Sequence, residues 1–226
     1  MNYSISAIVT AAGQNRRMQR DLARLKLPLK NKLLLDIQGK AVISHTIMRL
    51  LKANIDECII VLGHYTDQIM PTINDLNDSR IKIVQNDPVD VDLSQSLLHG
   101  VQLSNSDICL CAAGDQPSVT SRTFKNLIDA VENYKSPERI LSVLSRGRCG
   151  YIKSAEGLGM PFACCRDLLL KYLPGKNSNL NPILREMVKD DIVFYAAPHL
   201  NSLELLNINK YDDYMFLSEK FQDNTE

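Results

Sequence analysis

The polar and apolar positions of this chain alternate between two periods. Short, nearly continuous apolar runs recur at Ile5 to Thr10, Cys58 to Leu62, Ile81 to Val84, Ile108 to Ala112, Ile140 to Leu144 and Ile192 to Ala196. Runs of this length, rich in β-branched residues and without polar alternation, predict strands buried on both faces. Between them lie segments whose apolar positions return with helical spacing: Val42, Ile43, Thr46, Ile47, Leu50 and Leu51, then Ile69 to Leu76, Leu97 to Leu103 and Phe124 to Val131. Strand and helix in alternation predict an α/β protein: one Rossmann-like domain whose mainly parallel sheet carries helices on both faces. Such sheets bind ligands beyond the carboxyl ends of their strands, where the strand order reverses.

Length and composition narrow this picture. A chain of 226 residues that is 45% hydrophobic is large enough for one substantial core. No repeat or linker divides residues 1–221, so these are expected to form one domain, with 222–226 a disordered tail on composition. Lys and Arg number 26 against 26 Asp and Glu, which leaves no overall basic field for wrapping nucleic acid. No stretch is apolar for long enough to span a bilayer, and the first residues do not read as a signal peptide, so a cytoplasmic protein without membrane partners is expected. The six cysteines have neither CxxC pairing nor zinc-type spacing with the four histidines, and read as reduced thiols. Cys109 and Cys111 fall on one face of a strand, where a small buried hydrophobe is expected.

Two junctions carry the candidate chemistry. After the first apolar run the chain breaks into Ala11-Ala12-Gly13-Gln14-Asn15-Arg16-Arg17. Small residues let backbone N–H groups close on an anion, and guanidinium adds forked, charge-assisted hydrogen bonds, so this is a candidate phosphate loop. The segment from Ala12 to about Lys32 shows little periodicity and crowds together Arg16, Arg17, Arg20, Arg24, Lys26, Lys30 and Lys32; apart from a helical turn near Asp21 to Leu27 it is expected to be a long basic loop. The second junction is Gly114-Asp115-Gln116-Pro117, which sets one acid where a strand emerges. A single carboxylate there suits Mg²⁺, which binds through one or two carboxylates with waters and substrate phosphates; an Asx turn ahead of Pro117 is the alternative.

Thr10-Ala11-Ala12-Gly13, Arg17-Met18, Lys32-Leu33-Leu34-Leu35, Gly39-Lys40-Ala41-Val42-Ile43 and Gly114-Asp115-Gln116-Pro117 together resemble the molybdenum-cofactor nucleotidyltransferases, above all the molybdopterin cytidylyltransferase branch. Asn86-Asp87-Pro88 and Ser94-Gln95-Ser96 resemble that family's nucleotide-pocket segment, Gly159-Met160-Pro161-Phe162 its Gly-x-Pro segment, and Pro182-Ile183-Leu184 a later helix. The resemblance runs nearly end to end. It implies a nucleotide-diphospho-sugar-transferase-like fold and an enzyme that joins CMP from CTP to the terminal phosphate of a molybdopterin-type acceptor, with Mg²⁺, releasing pyrophosphate. A client molybdoenzyme is a further implied partner. Arg17, Lys32 and Asp115 would be catalytic. Ala11, Ala12, Gly13, Arg17, Lys32, Asn86, Ser94, Ser96 and Gly114 would bind nucleotide, and Asp115 with Asn209 would hold the metal. The paired alanines before Gly13 and the Asp-Gln-Pro resemble the cytosine-using branch.

The departures are as specific as the matches. Asn15 stands where the family has Ser, Asp92 where it has Gly, and Asn207 and Asn209 where it has acids, with Asn209 open to a plain N-cap role. About ten extra residues separate Met18 from Lys32, a candidate lid or specificity loop; Lys26 competes with Lys32 for alignment, and the downstream Leu33 to Ile43 pattern favours Lys32. Ser94 and Ser96 are equally suited to capping the helix that starts there. Arg146, Arg148 and Lys153 either bind an anion or decorate a hairpin. A cytidylyltransferase acting on a sugar, polyol or isoprenoid-precursor phosphate, and a non-catalytic nucleotide-binding maturation partner, are the alternatives to molybdopterin cytidylyl transfer.

Overall fold

The computed structural model describes residues 3–221; the tail at 222–226 lies outside the described residues. The chain runs β1 (Ile5–Ala11), α1 (Arg16–Arg24), a small hairpin of β2 (Asp36–Ile37) and β3 (Lys40–Ala41), then α2 (Val42–Leu51), β4 (Glu57–Leu62), α3 (Thr66–Asn74), β5 (Ile81–Gln85), α4 (Leu93–Leu103), β6 (Ile108–Ala113) and α5 (Ser121–Glu132). The second half adds β7 (Ile140–Leu144), β8 (Gly150–Ile152), β9 (Phe162–Cys165), α6 (Arg166–Tyr172), α7 (Leu180–Lys189), β10 (Val193–Ala197) and α8 (Tyr211–Phe221).

Eight strands form one sheet in the order β5-β4-β1-β6-β9-β7-β10-β8. β1 pairs in parallel with both β4 and β6, in register Val9 with Ile60 and with Ala112. The chain moves outward from β1 to β4 and β5, then crosses to the far side of β1 for β6, so the order reverses at β1. That reversal splays the connections after β1 and β6 in opposite directions and opens a crevice at Ala11 and Ala113. β9 runs antiparallel between β6 and β7, and β8 antiparallel on β10.

Each face of the sheet buries its own core. Ala7, Val9 and Ala11 of β1 face α2, α3, α5 and α8, with Ile43, Ile47, Leu50, Phe124 and Leu217 packed around them. Ile8 faces the other way, with Leu97 and Val101 of α4, Leu169 of α6, and Leu184 of α7. Cys109, Cys111 and Cys164 all lie in this second core, as small hydrophobes on one face. Among the described residues no helix is long and apolar enough to cross a membrane.

The strand-like runs and helix faces all appear, and three features differ from expectation. The stretch after Gly13 is not irregular: Arg16–Arg24 forms α1, which buries only Met18 and Leu22. Two apolar positions one turn apart, among arginines, give too faint a periodicity to see. Phe162–Cys165 is a strand, hidden because so short an apolar run has no period of its own. Arg146 and Arg148 do not sit in a hairpin, since β10 separates β7 from β8 in the sheet.

Gly100 lets α4 lie directly on β1 and β4. A Cβ there would sit 2.5 Å from Ile8 Cγ2 and 2.9 Å from Val61 Cγ2. Both neighbours are branched side chains, buried and stiff at χ1, so the helix must move away. Gly100→Ala is expected to lose about 1–3 kcal/mol, read as a lower midpoint in thermal or urea unfolding, although alanine is the better helix former.

Candidate active site

At the point where the strand order reverses, a cleft of about 650 Å³ opens between the loops that follow β1 and β6. Residues 11–15 form its floor. Gly63, after β4, approaches this loop so closely that a Cβ would meet Ala12 O at 2.8 Å, so a glycine is required to seat Ala12. Gly13 is the opposite case: a Cβ there would touch nothing within 4 Å, and the residue is exposed in the cleft. Its smallness keeps the cleft floor open to whatever occupies it.

Asn15 turns the chain in the left-handed region, φ 58°, which asparagine tolerates better than serine. Its side chain then holds the two ends of the basic segment together. Nδ2 donates to Lys30 O at 3.2 Å, and Oδ1 accepts from Lys32 N at 3.4 Å. The departure at Asn15 thus accompanies the longer excursion between α1 and Lys32: the amide closes that excursion, delivering Lys32 to the cleft.

Lys32 Nζ forms an ion pair with Asp115 Oδ2, both side chains being largely shielded from solvent. Lys26 is exposed and lines no part of the cleft, so of the two lysines it is Lys32 that the fold brings to Asp115. Asp115 is held on its other side: Asn207 Nδ2 reaches Oδ1 at 3.5 Å, and Ile208 N donates to its main-chain oxygen at 3.0 Å. Gln116, fully buried, donates to Met160 O at 2.9 Å and Asn207 Oδ1 at 3.2 Å while accepting from Ala113 N. Asn209 lines the cleft as well, and its side chain donates to Asn207 O. It does not cap α8; the Asp213 carboxylate accepts from Asn209 N and Lys210 N instead.

The remaining candidates separate into two groups. Ala11, Ala12, Gly13, Arg17 and Ser96 line the cleft with Lys32 and Asp115. Asn86, Ser94 and Gly114 do not. Asn86 stands behind Ser96, donating to its Oγ at 2.9 Å while His99 Nδ1 lies 2.9 Å from the amide oxygen. An amide oxygen only accepts, so His99 carries its proton at Nδ1, and the Ser96 hydroxyl keeps its own proton for another acceptor. Ser94 accepts from Ser178 N and donates to Lys176 O, tying α4 to the loop before α7. Gly114 donates to Thr10 O and accepts from Thr46 Oγ1. Neither serine caps α4 by its side chain.

The match to known proteins completes this description: residues 7–197 fit the MobA-like NTP transferase domain. The chain belongs to that family. A nucleotidyl transferase from Methanothermobacter thermautotroptrophicus superimposes with a TM-score of 0.90 at 41% identity, covering 98% of this chain and 99% of its own. The 4-diphosphocytidyl-2C-methyl-D-erythritol synthase of Anaerococcus prevotii shares the fold at a TM-score of 0.71 and 18% identity, over 97% and 96% of the two chains. In sequence, the bifunctional protein GlmU of Staphylococcus saprophyticus is 27% identical over 160 residues, 67% of this chain and 32% of GlmU. The chain thus spans about a third of the length of that relative. A nucleotidyltransferase-like fold is the common element.

In this MobA-like transferase, three participants escaped the sequence. Gln14 and His64 both reach Asp90 Oδ1, so the acidic segment before α4 is strapped across the mouth to the loops after β1 and β4. Glu204 is the third. It is fully buried with no cation beside it, and accepts from Thr120 N, Thr120 Oγ1, Thr123 Oγ1 and Leu200 N. Donors from the N-terminal turn of α5 compensate its charge. The bond anchors residues 200–208 against the segment carrying Asp115, and so sets where Asn207 and Asn209 stand. No local motif announces it, because three of its four donors lie some eighty positions away in sequence.

No cysteine lines the cleft. Burial pushes the thiols of Cys58 and Cys109 up to about 12 and that of Cys165 to about 11, while Cys111 and Cys164 lie well above the ordinary range for the same reason. Thiol labelling of the native protein at pH 8 is expected to modify exposed Cys149 rapidly and half-buried Cys165 slowly, with the other four reacting only on unfolding. Glu204→Ala is expected to cost about 3 kcal/mol or more in urea unfolding, since several buried donors lose their acceptor, whereas Glu204→Gln, which keeps an acceptor oxygen, retains part of that loss.

Proposed function

We propose that this transferase moves CMP from CTP to the terminal phosphate of a phosphorylated small molecule, with release of pyrophosphate, and that the acceptor is of the molybdopterin type. The observation that carries the reading is the meeting of Lys32 and Asp115 beside the open Gly13 loop, the anion just past the end of β6 and the cation delivered by the segment that follows α1. The cytidyl product in the name of the Anaerococcus neighbour and the cytosine-type Ala11-Ala12-Gly13 pattern support the choice of base.

The acceptor brings its own nucleophile, a phosphate oxygen. Its attack forms a bond to the α-phosphorus as the bond to the bridging oxygen of pyrophosphate breaks, and no proton must be removed by a protein base. The protein therefore aligns two anions and offsets their charge. Backbone N–H groups around Gly13 would receive the triphosphate, and Arg17 and Lys32 would neutralise it. Before nucleotide arrives Lys32 is held by Asp115, so it is positioned without needing to be ordered at the moment of binding. The Ser96 hydroxyl, whose oxygen is already engaged by Asn86, would donate to the pyrimidine carbonyl.

Mg²⁺ fits this donor set. Asp115 supplies one carboxylate and Asn207 and Asn209 supply neutral amides, and among the described residues there is no cluster of three His, Cys, Asp or Glu that would suit a caged metal. One hard oxygen anion with waters and phosphates is the arrangement this ion favours, and when bound it would supply charge neutralisation at the phosphates.

The test is Mg²⁺-dependent pyrophosphate release with CTP, UTP, GTP and ATP, each with and without molybdopterin. Turnover is expected with CTP only when molybdopterin is present, and Asp115→Asn and Lys32→Ala are each expected to lower it about a hundredfold or more. Activity with GTP alone would overturn the base, turnover on another phosphate but not molybdopterin would overturn the acceptor, and full activity in Asp115→Asn would overturn the site.

A further inference from the structure

The excursion between α1 and Lys32 holds more charge than the cleft uses. From Arg16 to Lys32 there are seven Lys and Arg against the single acid Asp21, in a chain whose net charge is zero. Arg16, Arg17 and Lys32 line the cleft; Arg20, Arg24, Lys26 and Lys30 do not, and all four are exposed. Among the described residues the only ion pair any of these four makes is Arg24 to Asp21, at 3.8 Å on the surface.

Apolar side chains are interleaved with these cations. Leu25, Leu27 and Leu29 are 45%, 36% and 66% exposed, and they line neither the nucleotide cleft nor the smaller hollow beside it at Gln14 and Tyr65. Three exposed leucines alternating with lysines within six residues form a cationic, apolar rim rather than a groove. The segment is nonetheless built: Asn15 and Gln19 both donate to Lys30 O, and Leu27 N and Lys26 N close the end of α1 on Leu22 O and Ala23 O.

That helix ending contains a strained choice. The two closing bonds make the pattern in which the residue after the cap adopts the left-handed conformation, a place where glycine is strongly preferred. Here it is Lys26, at φ 57°. The fold tolerates a side chain where none is easiest, and so keeps a cation between two exposed leucines.

We propose that this rim, Arg20, Arg24 and Leu25 to Lys30, docks the enzyme on an anionic lipid surface, placing the cleft mouth beside it. A bilayer is favoured over a protein partner because it needs no complementary groove: leucines enter the apolar boundary while the flanking cations meet headgroup charge, which draws each Lys or Arg to the surface. The contact is peripheral and is independent of which acceptor the cleft takes.

The experiment is co-sedimentation of the full chain with vesicles of phosphatidylcholine alone and of phosphatidylcholine with phosphatidylglycerol. Binding is expected only to the anionic vesicles and is expected to weaken as salt rises. Lys26→Gly should weaken it about fivefold while raising the melting temperature, and Leu29→Glu about tenfold or more with the fold unchanged. A loss of binding together with a gain in stability separates docking from misfolding. Equal binding to both vesicle types, no binding to either, displacement of vesicles by CTP, or an acidic protein captured through the same residues in place of lipid would each overturn the assignment.

Discussion

β1 is paired in parallel on both sides and buried on both faces, and the organisation of the active site follows from that position. The chain passes outward from it through β4 and β5 and returns on its other side as β6, so the connections after β1 and β6 run in opposite directions. Where they part, backbone groups at the strand ends are left without sheet partners, and the loops that satisfy them converge. Ala11 to Asn15 comes from one crossover and Gly114 to Pro117 from its neighbour. The Lys32–Asp115 pair spans the gap between them.

The cleft is positioned by close backbone packing as well as by polar contacts. Gly100 brings α4 onto the sheet beneath Ser96, and Gly63 seats Ala12. Neither glycine lines the cleft. Gly13 does, and no neighbour crowds it. The three positions show two different demands on one residue type: room for protein in two cases, an open cleft in the third. Behind the cleft, Gln116 and Glu204 perform a comparable task with hydrogen bonds. Both are fully buried, and both hold the segment around Asn207 against the strand end that carries Asp115.

Amides at Asn207 and Asn209, where the resemblance implies acids, fit this arrangement. Asn207 both donates to Asp115 and accepts from Gln116, a combination that an ionised carboxylate, which only accepts, cannot provide. An acid at the same place would set two negative charges side by side, with one lysine between the strand ends to offset them. Likewise Asn15 can donate to Lys30 O and accept from Lys32 N at once, which gives the enlarged basic segment a clasp.

The sequence by itself determined the class of fold and the two junctions that matter. Strands buried on both faces are continuous apolar runs, and small residues or a lone acid at their ends are legible because the constraint is local. It also favoured Lys32 over its rival Lys26, through the Leu33 to Ile43 pattern downstream, but did not show how the chain brings Lys32 to the cleft. That was decided by Asn15 folding back on Lys30, and only the tertiary structure contains such a contact. Asn86, Ser94 and Gly114 carry the resembling motif yet do not line the cleft, while His64 and Asp90 carry no motif and line it, and Glu204 holds the segment behind it. Periodicity reports which face of an element is buried. It does not report which distant segment meets that face, because long-range hydrogen bonds depend on where the crossovers bring the chain.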